Sequence, residues 1–212
     1  MAAVFQIREH YDSLALIYRA FWGDHLHHGL FARGDETPEQ AQLKLLEHCA
    51  GLVGGRPGGH VLDVGCGHGG TAIFLAQQYG CSVLGLTLSP RQARLAEQKA
   101  AACGVEQTVQ FTVGDADSFD FGRECYDLVW TMESSEHFHD KPAYFRRIAK
   151  SLLPGGKLLV AAWTGSMQDE RVREVARAFL CPMLQPADDY SLQMEAAGLT
   201  VLECQDVTSR VE

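Results

Sequence analysis

Apolar positions along this chain switch repeatedly between two spacings. Phe5, Ile7, Tyr11, Leu14, Ile17, Tyr18 and Phe21 recur at helical spacing and predict one or two amphipathic helices within residues 1–35. Thr37-Pro38-Glu39, with proline early and an acid in the first turn, opens a further helix running to about Ala50. A glycine-rich connector, 51–59, leads into short apolar runs that alternate with helical patterns. The runs predict strands at His60–Val64, Cys81–Leu86, Val109–Val113, Tyr126–Met132, Lys157–Trp163 and Leu199–Cys204. Between them, helical patterns follow Gly70, span Pro90 to about Ala102, Pro142–Leu153 and Asp169–Leu180, and run from Asp188-Asp189 to Gly198. Strands that alternate with helices predict an α/β fold built on a doubly wound, mostly parallel sheet. The domain reading is a helical segment, 1–36, ahead of one sheet domain, 37–212.

The most informative junction lies at the end of the first strand, HVLDVGCGHGG, which runs into the helical TAIFLAQQYG. Strand, glycine turn and helix bring backbone N–H groups and a helix N-terminus close to a ligand. Gly65-x-Gly67-x-x-Gly70 alone also fits a dinucleotide fingerprint, so the glycines do not choose between cofactors. Two other features do. Asp63 places a carboxylate at the mouth of the turn, suited to a cationic ligand and unhelpful beside a pyrophosphate. The second strand ends at Thr87-Leu88-Ser89, without the acid that would hold a dinucleotide's ribose.

Composition narrows the partners. A formal net charge of −9, with no basic cluster beyond Arg146-Arg147, argues against nucleic acid. Seven cysteines at scattered positions, without a CxxC pair, suit reduced thiols better than disulfides or zinc. No apolar run reaches membrane-spanning length and no signal-peptide pattern opens the chain, so the expected location is cytoplasmic.

Asp63-Val64-Gly65-Cys66-Gly67-His68-Gly69 resembles motif I of class I S-adenosylmethionine-dependent methyltransferases, whose sheet is Rossmann-like. Three further stretches resemble small-molecule methyltransferases: WGDHLHHG at Trp22–Gly29 the tocopherol type, GLTLSPRQ at Gly85–Gln92 the tocopherol and cyclopropane types, and ESSEH at Glu133–His137 the tocopherol type and plant alkaloid N-methyltransferases. The resemblance implies S-adenosylmethionine as cofactor, S-adenosylhomocysteine as product, and a small-molecule acceptor methylated at O, N or C. It implies that 1–36 closes as a lid carrying Tyr11, Tyr18, Trp22 and His28. A homodimer is compatible with it, and no metal site is expected.

Strand ends carry the remaining candidates, as ligands in open α/β sheets bind at the carboxyl ends. The cofactor set is Asp63, Gly65, Cys66, Gly67, Gly69, Thr87, Leu88, Gln92, Asp115, Ala116 and Glu133. Thr87 and Gln92 are candidates for the ribose, with Thr87 as a helix N-cap the plainer alternative. Asp115 and Ala116 match an adenine-reading position. Glu136 and His137 are the catalytic candidates, His137 because an unperturbed imidazole, pKa near ~6.5, accepts a proton at neutral pH. His28 and His137 are the two histidines assigned to the site. The familiar fold has seven strands; six are readable here, so strand seven is expected to be missing and the domain C-terminally short. Leu199–Cys204 should then pair with strand five or with a second chain. Two other functions stand beside methyl transfer: a cofactor-binding but inactive or partner-dependent subunit, and an NAD-dependent oxidoreductase.

Overall fold

The computed structural model describes residues 2–23, 25–32, 34–54 and 59–211, excluding the side chains of 2, 3 and 15–22. A single long helix, α1 (Ala2–Trp22), precedes α2 (Pro38–Leu52). Thr37 caps α2 through a reciprocal capping box with Gln40. The sheet is built from β1 (His60–Val64), β2 (Ser82–Thr87), β3 (Val109–Val113), β4 (Tyr126–Met132) and β5 (Leu152–Ala161). Connecting them are α3 (Gly70–Tyr79), α4 (Pro90–Ala102) and α5 (Lys141–Ser151); α6 (Glu170–Ala178) and α7 (Ala187–Ala196) come after the last strand.

All pairings are parallel, in the order β3-β2-β1-β4-β5. The chain winds outward from β1 in one direction through β2 and β3, then crosses to β4 and β5. That reversal opens a crevice between the carboxyl ends of β1 and β4. Side chains alternate across the sheet: Val61 joins an apolar cluster with α2 and α3 residues, whereas Leu62 and Val64 join Val129, Tyr144, Phe145 and Ile148 on the other face. Both faces are covered, which is why the strands read as continuous apolar runs.

Two expectations change. Pro154-Gly155-Gly156 does not separate helix from strand. Helix α5 ends at Ser151 and β5 begins at once, absorbing these residues in a register irregularity opposite Tyr126 and Leu128. Leu199–Cys204 forms no strand and pairs with neither β5 nor any other strand among the described residues. A strand exists only where a neighbour takes up its N–H and C=O groups, and this segment is drawn elsewhere. Its continuation returns toward the N-terminal side, where Phe31 N–H donates to Arg210 O at 2.7 Å and His48 Nε2 meets Gln205 Oε1 at 2.9 Å. Val207 and Val211 pack on the α2–α3 cluster, and Leu202 stays 79% exposed. The sheet is therefore five-stranded, one fewer than the apolar runs promised.

Candidate active site

A cavity of about 320 Å³ lies at the carboxyl ends of the strands, within the usual size for a small-molecule site. Its floor is the turn after β1. Gly65, Gly67 and Gly69 all have positive φ, +84°, +52° and +79°. The reasons for glycine differ along the turn. A Cβ on Gly65 would sit 2.2 Å from Ser134 Cβ, where Ser134 Oγ donates to Val64 O and ties β1 to β4. One on Gly69 would strike Phe111 and Ala96. Only at Gly67 is the near neighbour a residue of the N-terminal segment, Leu26 Cδ1 at 3.0 Å. Gly65, Cys66 and Gly67 line the cavity; Gly69 does not, and Gly70 takes its place there. Of the expected cofactor glycines, Gly69 lies off the cavity wall, packed against Phe111 and Ala96.

Asp63 is buried against the start of α3 and accepts the Ala72 N–H. Its Oδ2 has no partner, and desolvation pushes its pKa up to about 7. Cys66 is equally buried, and its thiol is pushed well up by burial and by Asp63, so it is no nucleophile.

At the end of β2, Thr87 and Gln92 bond each other, Thr87 Oγ1 donating to Gln92 Oε1 at 2.7 Å. The cap of α4 is Ser89, not Thr87: Ser89 Oγ accepts from Gln92 N–H at 3.0 Å. Ser89 and the Arg91 N–H are held by the Asp12 carboxylate, which fastens α1 to this corner. Leu88 also lines the cavity. After β3, Asp115 spends one oxygen on the Asp117 N–H at 2.9 Å, and Ala116 O takes Arg147.

The turn after β4 is the densest part of the site. Glu133 holds a left-handed φ of +45°, rare for a residue with a side chain and a mark of imposed geometry. Both its carboxylate oxygens are taken by His28: the backbone N–H at 2.9 Å and Nδ1 at 2.8 Å. Glu136 is 3% exposed; its Oε1 accepts the Trp163 N–H at 2.6 Å, and its Oε2 is buried without a partner. Desolvation pushes Glu136 up to about 7. The same burial acts oppositely on His137, pushed down to about 4. His137 Nε2 pairs with Tyr11 OH at 2.8 Å, the rings edge to face at 5.5 Å.

The side chains of Tyr18 and Trp22 lie outside the described residues. Besides His28 and His137, the structure brings His25, His27 and His68 to the wall of the same cavity. Sequence reasoning also passed over Met132, Trp163, Phe179 and Cys181. Trp163 closes the run read as strand five, so the strand-end argument could have found it. Phe179 and Cys181 come after α6 and carry no such mark.

The His28–Glu133 bond makes a prediction about pH. Hydrogen bonding to Glu133 raises the His28 pKa above its usual 6.5 against desolvation. A raised folded-state pKa means the stabilisation is complete below the unfolded value and is lost as pH rises through the folded one. Amide exchange at residues 25–30, corrected for intrinsic rates, should therefore accelerate relative to α3 above the raised His28 pKa. In Glu133→Gln this pH dependence should largely vanish; an unchanged dependence there would refute the latch.

Comparison with known proteins accords with this geometry. Over 210 residues the chain is 33% identical to the 27-O-demethylrifamycin SV methyltransferase of Amycolatopsis mediterranei, covering 96% of this chain and 76% of that protein. It is 30% identical to the chloroplastic tocopherol O-methyltransferase of Arabidopsis thaliana, over 97% of this chain but 66% of that protein. The chain thus spans about two thirds to three quarters of the length of these relatives. The fold superposes on the geranyl diphosphate C-methyltransferase of Streptomyces coelicolor with a TM-score of 0.87 at 19% identity, covering 99% of this chain and 84% of that one. A family model matches residues 2–205, nearly the whole chain, and the protein belongs to the mycolic acid cyclopropane synthetase family.

Proposed function

We propose that this chain is an S-adenosylmethionine-dependent methyltransferase acting on a hydroxyl of a small, largely apolar acceptor. The observation that carries the reading is a pair of buried, unpartnered carboxylate oxygens facing one cavity, Asp63 Oδ2 and Glu136 Oε2. They call for two partners of different chemistry. An unpaired buried carboxylate is costly, and a ligand that supplies a cation or a hydrogen-bond donor relieves it. Support for the cofactor comes also from the Streptomyces neighbour, solved with S-adenosylhomocysteine. Hydroxyl acceptors accord with the name of the Arabidopsis relative, a tocopherol O-methyltransferase.

When bound, S-adenosylmethionine supplies an electrophilic methyl group on a sulfonium. The chain's own residues do the rest. Asp63 would hold the ammonium of the methionine moiety, with the Gly65–Gly67 backbone beside that arm. Gln92, whose amide nitrogen is left by its bond to Thr87, would serve the ribose. The second Asp115 oxygen and the Ala116 N–H would serve the adenine. Glu136 Oε2 takes the acceptor proton: a pKa near 7 leaves it ionised in part at neutral pH and basic enough to accept. His137, far below that range, stays neutral and orients Tyr11, so the base is assigned to the glutamate and the lid contact to the histidine. His28, Leu26 and Tyr11 close the N-terminal segment over the reacting atoms and keep water out.

The acceptor wall is apolar, formed by Ile7, Met132, Phe138 and Phe179, and the described lining residues carry carboxylates and no lysine or arginine. A hydrophobic phenol or hydroquinone fits this lining, whereas a diphosphate ester would meet like charge. The test is calorimetry with S-adenosylhomocysteine and with NAD, then turnover on matched alkyl alcohols, alkylhydroquinones and their phosphate esters. Micromolar S-adenosylhomocysteine binding, no NAD binding and methylation of the neutral compounds alone are expected. Preferred turnover of the phosphate esters would sink the acceptor class, and NAD binding would sink the cofactor.

A further inference from the structure

Lys141 is 2% exposed yet occupies the first position of α5, where a cation opposes the helix dipole. No carboxylate forms an ion pair with it among the described residues. Its ammonium donates instead to two carbonyls, Phe138 O at 3.0 Å and Met183 O at 3.1 Å. Met183 lies 42 residues from Lys141 in sequence, so this one side chain links the turn ending at Phe138 to a distant loop. Phe138 ends the turn that carries Glu136 and His137. Met183 ends a loop, beyond α6, that brings Phe179 and Cys181 to the cavity wall. That loop holds Leu180 at a φ of +55°, a conformation that β- and γ-branched chains adopt only when something outside imposes it. A lysine that breaks three ordinary preferences and bridges two walls of the site is better explained by the site than by the helix.

Resting on the reading of Glu136 as proton acceptor, we propose that Lys141 is a positioning residue. Its buried ammonium ties the Phe179–Met183 wall to the Glu136–Phe138 turn, so the acceptor is pressed toward Glu136 Oε2, and its charge balances that carboxylate. Glu136 is faced by charged or titratable groups from every side. Glu133 stands on its own turn, His28 on the N-terminal segment, Lys141 on α5, Cys181 after α6 and Tyr190 on α7. Lys141 opposes the desolvation that holds the Glu136 proton on, whereas Glu133 adds to it. Cys181, pushed up to about 12, and Tyr190, also raised, stay neutral near pH 7 and contribute no charge.

The test compares the full chain with Lys141→Met, which lacks donor and charge, and Lys141→Gln, which keeps donors and loses the charge. Three readouts are taken: amide exchange at 179–184, a 13C-carboxyl titration of labelled glutamate assigned with Glu136→Gln, and S-adenosylhomocysteine affinity. In Lys141→Met, exchange at 179–184 should rise at least ~10-fold while α3 is unchanged. In both variants the Glu136 midpoint should move up from its wild-type value, because loss of a nearby cation favours the neutral acid. Lys141→Gln should keep most of the loop's protection. S-adenosylhomocysteine affinity should hold within about twofold in each, as the cofactor half is untouched. Unchanged exchange in Lys141→Met, or an unmoved Glu136 midpoint in Lys141→Gln, overturns the proposal. So does faster exchange throughout the domain with weakened S-adenosylhomocysteine binding, which marks a merely structural lysine. If Lys141→Met does not fold, the Lys141→Gln midpoint decides alone. None of these readouts needs turnover, so a wild-type chain that binds S-adenosylhomocysteine but methylates nothing counts against the function and not against the tether.

Discussion

Glu136→Gln is expected to lower kcat by about 10²- to 10³-fold with S-adenosylhomocysteine affinity within about twofold of wild type. The amide keeps the shape of the side chain, and its oxygen can still accept the Trp163 N–H, so the turn should survive. What disappears is Glu136 Oε2, the buried, unpartnered oxygen assigned to receive the acceptor proton. The pH profile provides the second check. With its pKa pushed up to about 7, Glu136 in the wild-type chain must lose a proton to act, so kcat should fall as pH drops below that value. Glu136→Gln should be slow and flat across the same window. His137→Ala is the contrast. It breaks the contact to Tyr11, and its main effect should fall on acceptor KM rather than on the acidic limb. A flat slow profile in His137→Ala with a normal limb in Glu136→Gln would return the base to the histidine.

The two residues illustrate what a sequence conveys about such a site and what it withholds. ESSEH at the end of a strand was legible, because strand ends are where chemistry gathers in this fold. The direction of each pKa was not. Ordinary values favour His137 as base, but burial destabilises whichever form is charged, lowering an imidazole and raising a carboxyl. That requires knowing how deep the turn sits beneath α1 and beside Trp163. Glu133 shows the same limit. Its place at the strand end was plain, but its engagement with His28, 105 residues away, is a tertiary contact without local trace. The strand–turn–helix after β1 was readable in full because glycine, strand and helix are neighbours in sequence. Even there, glycine at Gly65 and Gly69 is also required by tertiary neighbours, Ser134, Phe111 and Ala96, that local sequence does not announce. The fold was legible through β4 for a similar reason, since runs buried on both faces announce themselves. Leu199–Cys204 has the apolar character of a strand, but composition cannot say whether a sheet edge lies within reach. Lys141 was invisible as anything but a charged residue at a helix start.

Asp63→Asn should cut S-adenosylhomocysteine affinity by about 10- to 100-fold at pH 8 and at the same time stabilise the ligand-free protein. Both effects stem from one buried carboxylate. The carboxyl interacts with the Ala72 N–H, and an asparagine carbonyl can take up the same interaction. Its Oδ2 has no partner in the ligand-free fold. Desolvation raises the folded-state pKa to about 7 from an ordinary value of 3.8. A raised folded value means that the unfolded chain ionises first: stability is complete below pH 3.8, declines as pH rises through the window, and levels off above about 7. Asparagine never incurs that loss. Its melting temperature should exceed the wild type's by at least about 2 °C at pH 8, with the gap closing toward pH 4. Binding runs in the opposite sense. An ammonium facing Asp63 favours the ionised carboxylate, so wild-type binding below pH 7 should release a proton and weaken as the solution is acidified. Calorimetry in buffers of different ionisation enthalpy would register that proton, and Asp63→Asn should release none at this site. Equal affinity, equal proton release and equal melting in the two proteins would mean that Asp63 only braces the glycine turn.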